Sequence, residues 1–446
     1  MDLAYHNDLL WPLEFVAGNF GESNPLAGGA VLGYRIAVRT CKRLRMALLL
    51  AGLFAAAHVS AQIDPVKRDL IQLGYNQPLE GRAPLSAYAF YYYNRPNFIE
   101  TNLTLRLAVA PVYLDSELGI SHLLGPNTDF AVGLAGGGFA DSYYEVNQGK
   151  FLPDESFTGN GGTLSASVYH LFNPGQRIPL NGLIRGDVHY VNYQRDGDTS
   201  SSFILPQNQV TFDVRSGLRF GGKEPVLFPD LAMELSAWYQ GQFRLDPGNY
   251  GYATNQYHVE SASHLFWSRA LLAYTLPESK HSFQVSATAG TSIDPDRFSA
   301  YRIGGFLPLA SEFPLMIPGY NFQELSASRF VLFNGNYNFP LDKKKRWTLT
   351  AVASTGYLDY LHGLEQPGHW NTGVGGGLAY LSSSGAWQVM LDYGYGVNAI
   401  RTHGRGAQTI GILLQFNLEK TKGGYYNPGS DNPLLRGFDR FLHSFN

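Results

Sequence analysis

The chain has 446 residues, of which only 15% are charged and 14% are aromatic, with 50 glycines and a formal net charge of −3. No apolar run reaches the roughly 18–20 residues that a spanning helix needs, which excludes a helical membrane bundle. The charge balance argues against a nucleic-acid partner, and few charges beside many Tyr and Phe fit a membrane barrel, whose apolar signal is diluted by every second residue.

In chain order, residues 39–61 read RTCKRLRMALLLAGLFAAAHVSA. A basic stretch (Arg39, Lys42, Arg43, Arg45), an apolar run from Met46 to Ala57, and small residues Val59 and Ala61 before the cut define a secretory signal peptide. The mature chain is expected to begin at Gln62, and residues 1–38 read as a mis-assigned leader. The single cysteine, Cys41, lies before the cut. The mature chain is therefore expected to carry no thiol, disulfide or thiolate metal site, which suits an oxidising envelope compartment. Residues 62–85 read as a short periplasmic segment, in which Asp64 and Pro65 before VKRDLIQL open one helical turn or two.

From residue 86 to 418 the pattern predicts a transmembrane antiparallel β-barrel of the outer-membrane type, an all-β fold. Fourteen strands are expected, at 86–95, 99–114, 128–142, 161–172, 181–195, 207–221, 229–244, 257–276, 281–293, 327–340, 346–359, 371–382, 386–397 and 407–418. Several have two distinct faces, as period-two alternation requires. Val210, Phe212, Val214, Leu218 and Phe220 oppose Thr211, Asp213, Arg215 and Arg219. Val331, Phe333, Tyr337 and Phe339 oppose Asn334, Asn336 and Asn338. One face thus wants oil and the other water. Charged residues on the second face cannot lie unpaired in a dry core; a wet lumen accepts them. Arg106, Arg185, Asp213, Arg215, Arg219, Glu234 and Arg269 are the expected lumen charges. A soluble β-sandwich would turn these residues outward, but fourteen strands behind a signal peptide exceed a normal sandwich.

Loop lengths point the same way. Connections at 114–128, 173–180, 221–229, 277–281, 341–346 and 382–386 are mostly short and are assigned to the periplasm. Those at 143–160, 195–208, 244–256, 293–326 and 361–370 are generally longer and are assigned to the outside. An even strand count returns both ends to the periplasm, and one fused hairpin would raise the count to sixteen. Residues 419–446 form a periplasmic tail, in which Leu434, Leu435, Phe438, Phe441, Leu442 and Phe445 make one stripe of a short helix for the barrel rim or mouth; a frayed tail is the other reading.

Sites of chemistry are scarce. The sequence has no G-x-S-x-G elbow and no H-E-x-x-H. His258, Glu260 and His264 share a strand face, and so do Asp187 and His189, but barrel rims rich in aromatics commonly carry His. No catalytic residue, metal or cofactor is expected. Gly136–Gly138 and Gly375–Gly377 are not phosphate loops, since no helix follows; in strands they mark tight curvature or close backbone approach.

A long external loop, 294–326, opens with RIGGF and is followed by five strands carrying NYNFPL, ASTGYLDY, GGGLAY, VMLDYGYG and TIGILLQFNL. This order resembles the bacterial surface antigen superfamily, the outer-membrane barrels of BamA, TamA and the two-partner secretion transporters. The resemblance is best over about residues 280–418. It implies that the loop folds into the lumen, with Arg302, Gly304, Gly305 and Phe306 at its entry. It also implies an Arg-Gly-aromatic tip paired with an acid on a neighbouring strand. Here the tip reads LASEFP, with Ala310 and Ser311 in place of Arg and Gly, then Glu312, with Phe313 as the aromatic. Asp359 of GYLDY is the implied partner, although strict alternation puts it on the face of Trp347 and Leu349, so that a bulge or the strand end is required to turn it; Arg302 or Arg329 are the substitutes for the missing arginine. The family's periplasmic domains have no counterpart before the first strand, so a barrel-only relative is expected. The implied function is assisting insertion or transport of protein or lipid at the outer membrane; a passive diffusion channel or structural barrel is the alternative. The implied partners are outer-membrane lipid, an unfolded or secreted protein or lipid substrate, and the machinery that inserts the barrel, with the protein itself a monomer.

Overall fold

The computed structural model describes residues 66–422. The expected leader and signal peptide, residues 62–65 and the tail beyond 422 lie outside the described residues. Twenty strands form in chain order: β1 (Arg68–Pro78), β2 (Ala87–Pro96), β3 (Leu103–Val109), β4 (Tyr113–Ile120), β5 (Thr128–Gly137), β6 (Tyr143–Asn147), β7 (Lys150–Leu171), β8 (Leu180–Arg195), β9 (Gln209–Gly222), β10 (Leu231–Leu245), β11 (Tyr250–Tyr252), β12 (Asn255–Tyr257), β13 (Ala262–Thr275), β14 (Ser282–Ile293), β15 (Tyr301–Ile303), β16 (Leu325–Pro340), β17 (Trp347–Tyr360), β18 (Trp370–Leu381), β19 (Trp387–Arg401) and β20 (Gly404–Asn417). A five-residue helix, α1 (Leu418–Lys422), follows.

Sixteen of these strands make the barrel wall. Each pairs antiparallel with the next, and the sheet closes where β1 meets β20, from Leu70↔Asn417 to Pro78↔Thr409. Closure leaves no unpaired edge, which a membrane demands because lipid offers the backbone no hydrogen bonds. The remaining four strands are accessory. β6 pairs with the outer part of β7, β15 with the start of β16, and β11 with β12.

The count of sixteen rather than fourteen comes from two places. Residues 68–78 form β1, not helical turns. Ile71, Leu73 and Tyr75 alternate with the buried Gln72, Gly74 and Asn76, and partners on both sides, β2 and β20, decide the conformation. The expected strand 99–114 is two strands, β3 and β4. Pro111 lies in the bend between them, because its nitrogen cannot donate to a ladder. The rest of β4 lies in what reads as the turn 114–128. With sixteen strands, as with any even count, the two ends of the described wall, at β1 and β20, lie at one rim, where the short turns gather.

The two faces match the alternation. Leu164, Ile184, Leu235, Phe333 and Leu391 point outward and are exposed. Near the short-turn rim Trp347, Tyr380 and Trp387 lie in a row of tilted rings, with ring centroids 4.6 and 5.4 Å apart. Toward the opposite rim Tyr357 packs on Trp370 and His369. An apolar belt between aromatic girdles is what a barrel presents to lipid. Outside the belt, Tyr143, Phe157, Phe203, Tyr250 and Val259 form an aromatic roof together with Phe298.

Candidate functional site: the lumen plug

The loop between β14 and β16 lies inside the barrel. Its root is the short ladder of β15 on β16, Tyr301↔Ala327 to Ile303↔Leu325. Gly304 (φ 136°) and Gly305 (φ 75°) then turn the chain inward, in backbone conformations that a side chain would strain. The two limbs run together: Gly304 N donates to Leu315 O at 2.9 Å, and Gly305 bridges Ile317. Apolar residues of both limbs pack against the wall. Ile303, Ile317 and Tyr320 meet Leu332, Leu358 and Ala399. Deeper in, Phe306 and Leu307 meet Val352, Met390 and Leu413.

Three anchors hold the loop. The first is at the outer rim. Arg401 of β19 donates to both Glu324 carboxylate oxygens, at 2.8 and 2.9 Å, and to Asn321 Oδ1 at 3.3 Å. Both charged side chains are almost fully buried. A bidentate geometry of this kind is what makes a buried Arg–carboxylate pair tolerable. Nearby, Arg302 donates to the carbonyls of Gln323 (3.1 Å) and Tyr144 (2.9 Å) and lies 4.9 Å over the Tyr143 ring. It braces the root, and its partners there among the described residues are carbonyls and a ring rather than an acid.

The second anchor is a wall without side chains. Gly373 and Gly375 of β18 and Gly394 and Gly396 of β19 face the lumen side by side, with Gly373↔Gly396 and Gly375↔Gly394 in register. Pro318 and Gly319 lie flat on them, so a Cβ at Gly373 would strike the Pro318 carbonyl and one at Gly394 the Gly319 amide. Gly319 N points to Thr409 Oγ1 at 3.3 Å, and Tyr320 donates to Asn371 at 3.1 Å. Of the two roles that glycine runs suggest, Gly375 shows close backbone approach.

The third anchor is the tip. The register of β9, β10 and β13 puts Arg219, Ser236 and Arg269 in one row on the inner face, and Gly217, Trp238 and Trp267 in the next. Two indoles thus lie beside three guanidinium groups, since Arg215 stands 4.8 Å over Trp238. Glu312 enters this cradle. It accepts from Arg215 at 3.0 Å and from Arg219, while Arg269 donates to its carbonyl at 2.9 Å. Phe313 follows, 5.4 Å from Trp238 and 5.8 Å from Trp267, both edge-on, with Arg269 4.4 Å from its ring centroid. Beneath, the buried Glu234 binds Arg269 at 2.5 and 3.0 Å and takes Ser236 Oγ at 2.7 Å. The arginines are on the wall and the acid is on the loop, the reverse of the expected polarity.

The other singled-out residues are dispersed. Arg106 faces Asp115 and Glu117, each at 3.6 Å. Arg185 binds Asp187 at 2.8 Å, and Asp213 stands opposite Asp187 in the register. A cavity of about 530 Å³ separates this group from the tip. The structure does not bring Asp359 to the loop. It sits at the outer end of β17, half-exposed, 3.6 Å from His369; the bulge near Ala327 and Arg329 does not turn it inward. His189 binds Asp141 (3.1 Å) and Thr163 (2.8 Å), not Asp187. Among the described residues no group of three or more His, Cys, Asp or Glu is close enough to hold a metal ion.

Sequence reasoning missed one contributor, the connection between β9 and β10. KEPVLFPD reads as a periplasmic turn, yet it folds up into the barrel. Leu227 and Phe228 pack against the cluster that Phe306 and Leu307 form with Val352, Ala379, Met390 and Leu413. Pro225 O accepts from Gln72 of β1 (2.8 Å) and from Gln415 of β20 (3.1 Å), which face each other across the closing seam. An apolar VLF between two prolines was the available signal. Gln72→Ala with Gln415→Ala leaves the half-buried Pro225 carbonyl without either donor, a loss of about 1 kcal/mol or more. Amide exchange in β1 and β20 is expected to rise roughly tenfold while β13 and β14 stay protected; equal protection at the seam would show that this clasp holds nothing.

No protein-family model and no curated protein matches the chain. Solved structures do. CdiB from Acinetobacter baumannii aligns at a TM-score of 0.50 and 10% identity, over 78% of this chain and 60% of that one. CdiB from Escherichia coli aligns at 0.49 and 13%, over 79% and 63%. BamA from Haemophilus ducreyi, in a form lacking POTRA domains 1–3, aligns at 0.48 and 10%, over 79% and 71%. The chain therefore spans less than two thirds of the length of either CdiB chain. The likeness is one of fold: this is a closed sixteen-stranded transmembrane barrel of the outer-membrane type. The resemblance read from the strand motifs is met at that level.

Proposed function

We propose that the protein assists insertion or transport of a protein or lipid substrate at the bacterial outer membrane, and that the loop 294–324 is its movable plug. The observation that carries this reading is the three-point seating of the loop inside the lumen. Two of the anchors are polar and one is a bare backbone groove, and release also parts the apolar packing of Phe306, Leu307, Ile317 and Tyr320 on the wall. The clasp of the β9–β10 connection on the seam supports a link between plug and seam, because Leu227 and Phe228 pack against the apolar cluster that Phe306 and Leu307 of the plug share with the wall, while Pro225 holds both seam strands. A passive diffusion channel is the second reading, favoured by the charged cavity beside the tip.

Refolded protein in planar bilayers tests the choice. The plugged reading expects a nearly closed barrel that becomes a steady pore on deletion of Gly304–Gly319. A steady pore in the intact protein, unchanged by that deletion, would give the channel reading instead.

A further inference from the structure

The tip cradle contains more recognition chemistry than a simple latch needs. It reads three features of the loop at once: a carboxylate, the main-chain carbonyl of the same residue, and the aromatic ring that follows. Arg219 and Arg269 are nearly buried, and their positions are set by Glu234 beneath and not by the loop alone. The Trp238 and Trp267 rings lie almost parallel, 14° apart, and Trp238 is seated over the bare Gly217. The site is thus built by the wall and filled by the loop. The cavity of about 530 Å³ borders it, lined also by Arg106, Arg185 and Lys223, and is large enough for several further residues of chain.

We infer that the Arg215–Arg219–Arg269 and Trp238–Trp267 cradle is a binding site for an extended peptide bearing an acidic residue followed by an aromatic one, and that Glu312–Phe313 occupies it in cis. A peptide is the ligand because Arg269 reads a backbone carbonyl; a small aromatic acid offers the charge and the ring without it. Charge-assisted bonds and cation–π contacts in a partly desolvated site give such a motif its selectivity. The inference rests on the plug reading in one respect: the tip must be able to leave.

The test uses the full chain refolded in detergent, with folding confirmed by heat-modifiable gel migration. Glu312→Ala with Phe313→Ala empties the cradle, and Phe313→Ala alone is the milder second variant. The probe is a fluorescein-labelled peptide of sequence ASEFP, read by anisotropy. The emptied protein is expected to bind it at least about tenfold more tightly than the intact protein, with the single variant between them. ASQFP and ASEAP are expected to bind at least about tenfold more weakly than ASEFP. Equal binding by the intact and emptied proteins, or by ASEFP and ASQFP, would overturn the site. Displacement by phenylacetate as readily as by unlabelled ASEFP would overturn the peptide assignment. Conductance of the same variants separates this from the plug: an emptied protein that conducts but binds no peptide leaves the plug and removes the site.

Discussion

Gly373→Val is expected to lift the plug from its wall and open the barrel. The position is on the lumen face of β18, where the Pro318 carbonyl and Ile317 Cγ2 already occupy the space that a Cβ needs. Neither side can yield cheaply. Behind Gly373 is the ladder to β19, and Pro318 is followed by Gly319 at φ 81°, itself pressed on Gly396. Overpacking a filled site costs about 1–3 kcal/mol when side chains can shift, and here the obstacle is backbone. Each 1.4 kcal/mol is a factor of ten in population, so open probability in planar bilayers is expected to rise by about tenfold or more. The strand should survive, since Val favours β structure. Unchanged conductance from a folded Gly373→Val barrel would mean that the glycine wall does not seat the plug.

Arg401→Met is expected to free the root of the loop. It leaves Glu324 buried without its cation, and breaking a buried pair from one side costs about 3–5 kcal/mol. Proteinase K added outside sealed vesicles should then cut between Ile303 and Leu325, where the intact protein resists. The double variant Arg401→Met with Glu324→Met supplies the control. Replacing both partners by apolar residues of similar volume is often neutral, so resistance should return. If the double variant is cut as readily as the single one, the bidentate geometry itself holds the root, and not the avoidance of a bare buried charge.

Most of the architecture was legible because the barrel repeats one rule. Val331, Phe333, Tyr337 and Phe339 against Asn334, Asn336 and Asn338 announce oil and water directly, and β16 obeys them. β1 was hidden because RDLIQL suits a helix as well as a strand, and only its partners at residues 87–94 and 409–417 choose. β3 and β4 were fused because a short turn around Pro111 joins two apolar runs. The plug was legible as a loop, from Gly304, Gly305 and its prolines. Its polarity was not. Arg215, Arg219 and Arg269 were visible as lumen charges, and Glu312 as part of the tip. Joining them needs the register that aligns three strands across the wall, and alternation along one strand says nothing of register between strands. Asp359 fits the site only if the loop carries an arginine that needs an acid; with the charges exchanged, that need disappears.

The strand β7 has 22 residues, roughly 70 Å of extended chain, against an apolar band of about 25 Å in such barrels. Even tilted, it projects well beyond the lipid, and its outer part pairs with β6 to make a stiff arm under the aromatic roof. That arm grips the plug from outside: the Tyr144 carbonyl accepts from Arg302, and Glu145 holds Arg297 at 3.1 Å, both arginines belonging to the plug loop. The barrel consequently has a lever beyond the rim opposite the short turns, and a force that twists the β6–β7 arm is passed through Arg297 and Arg302 to the plug's root without entering the lumen.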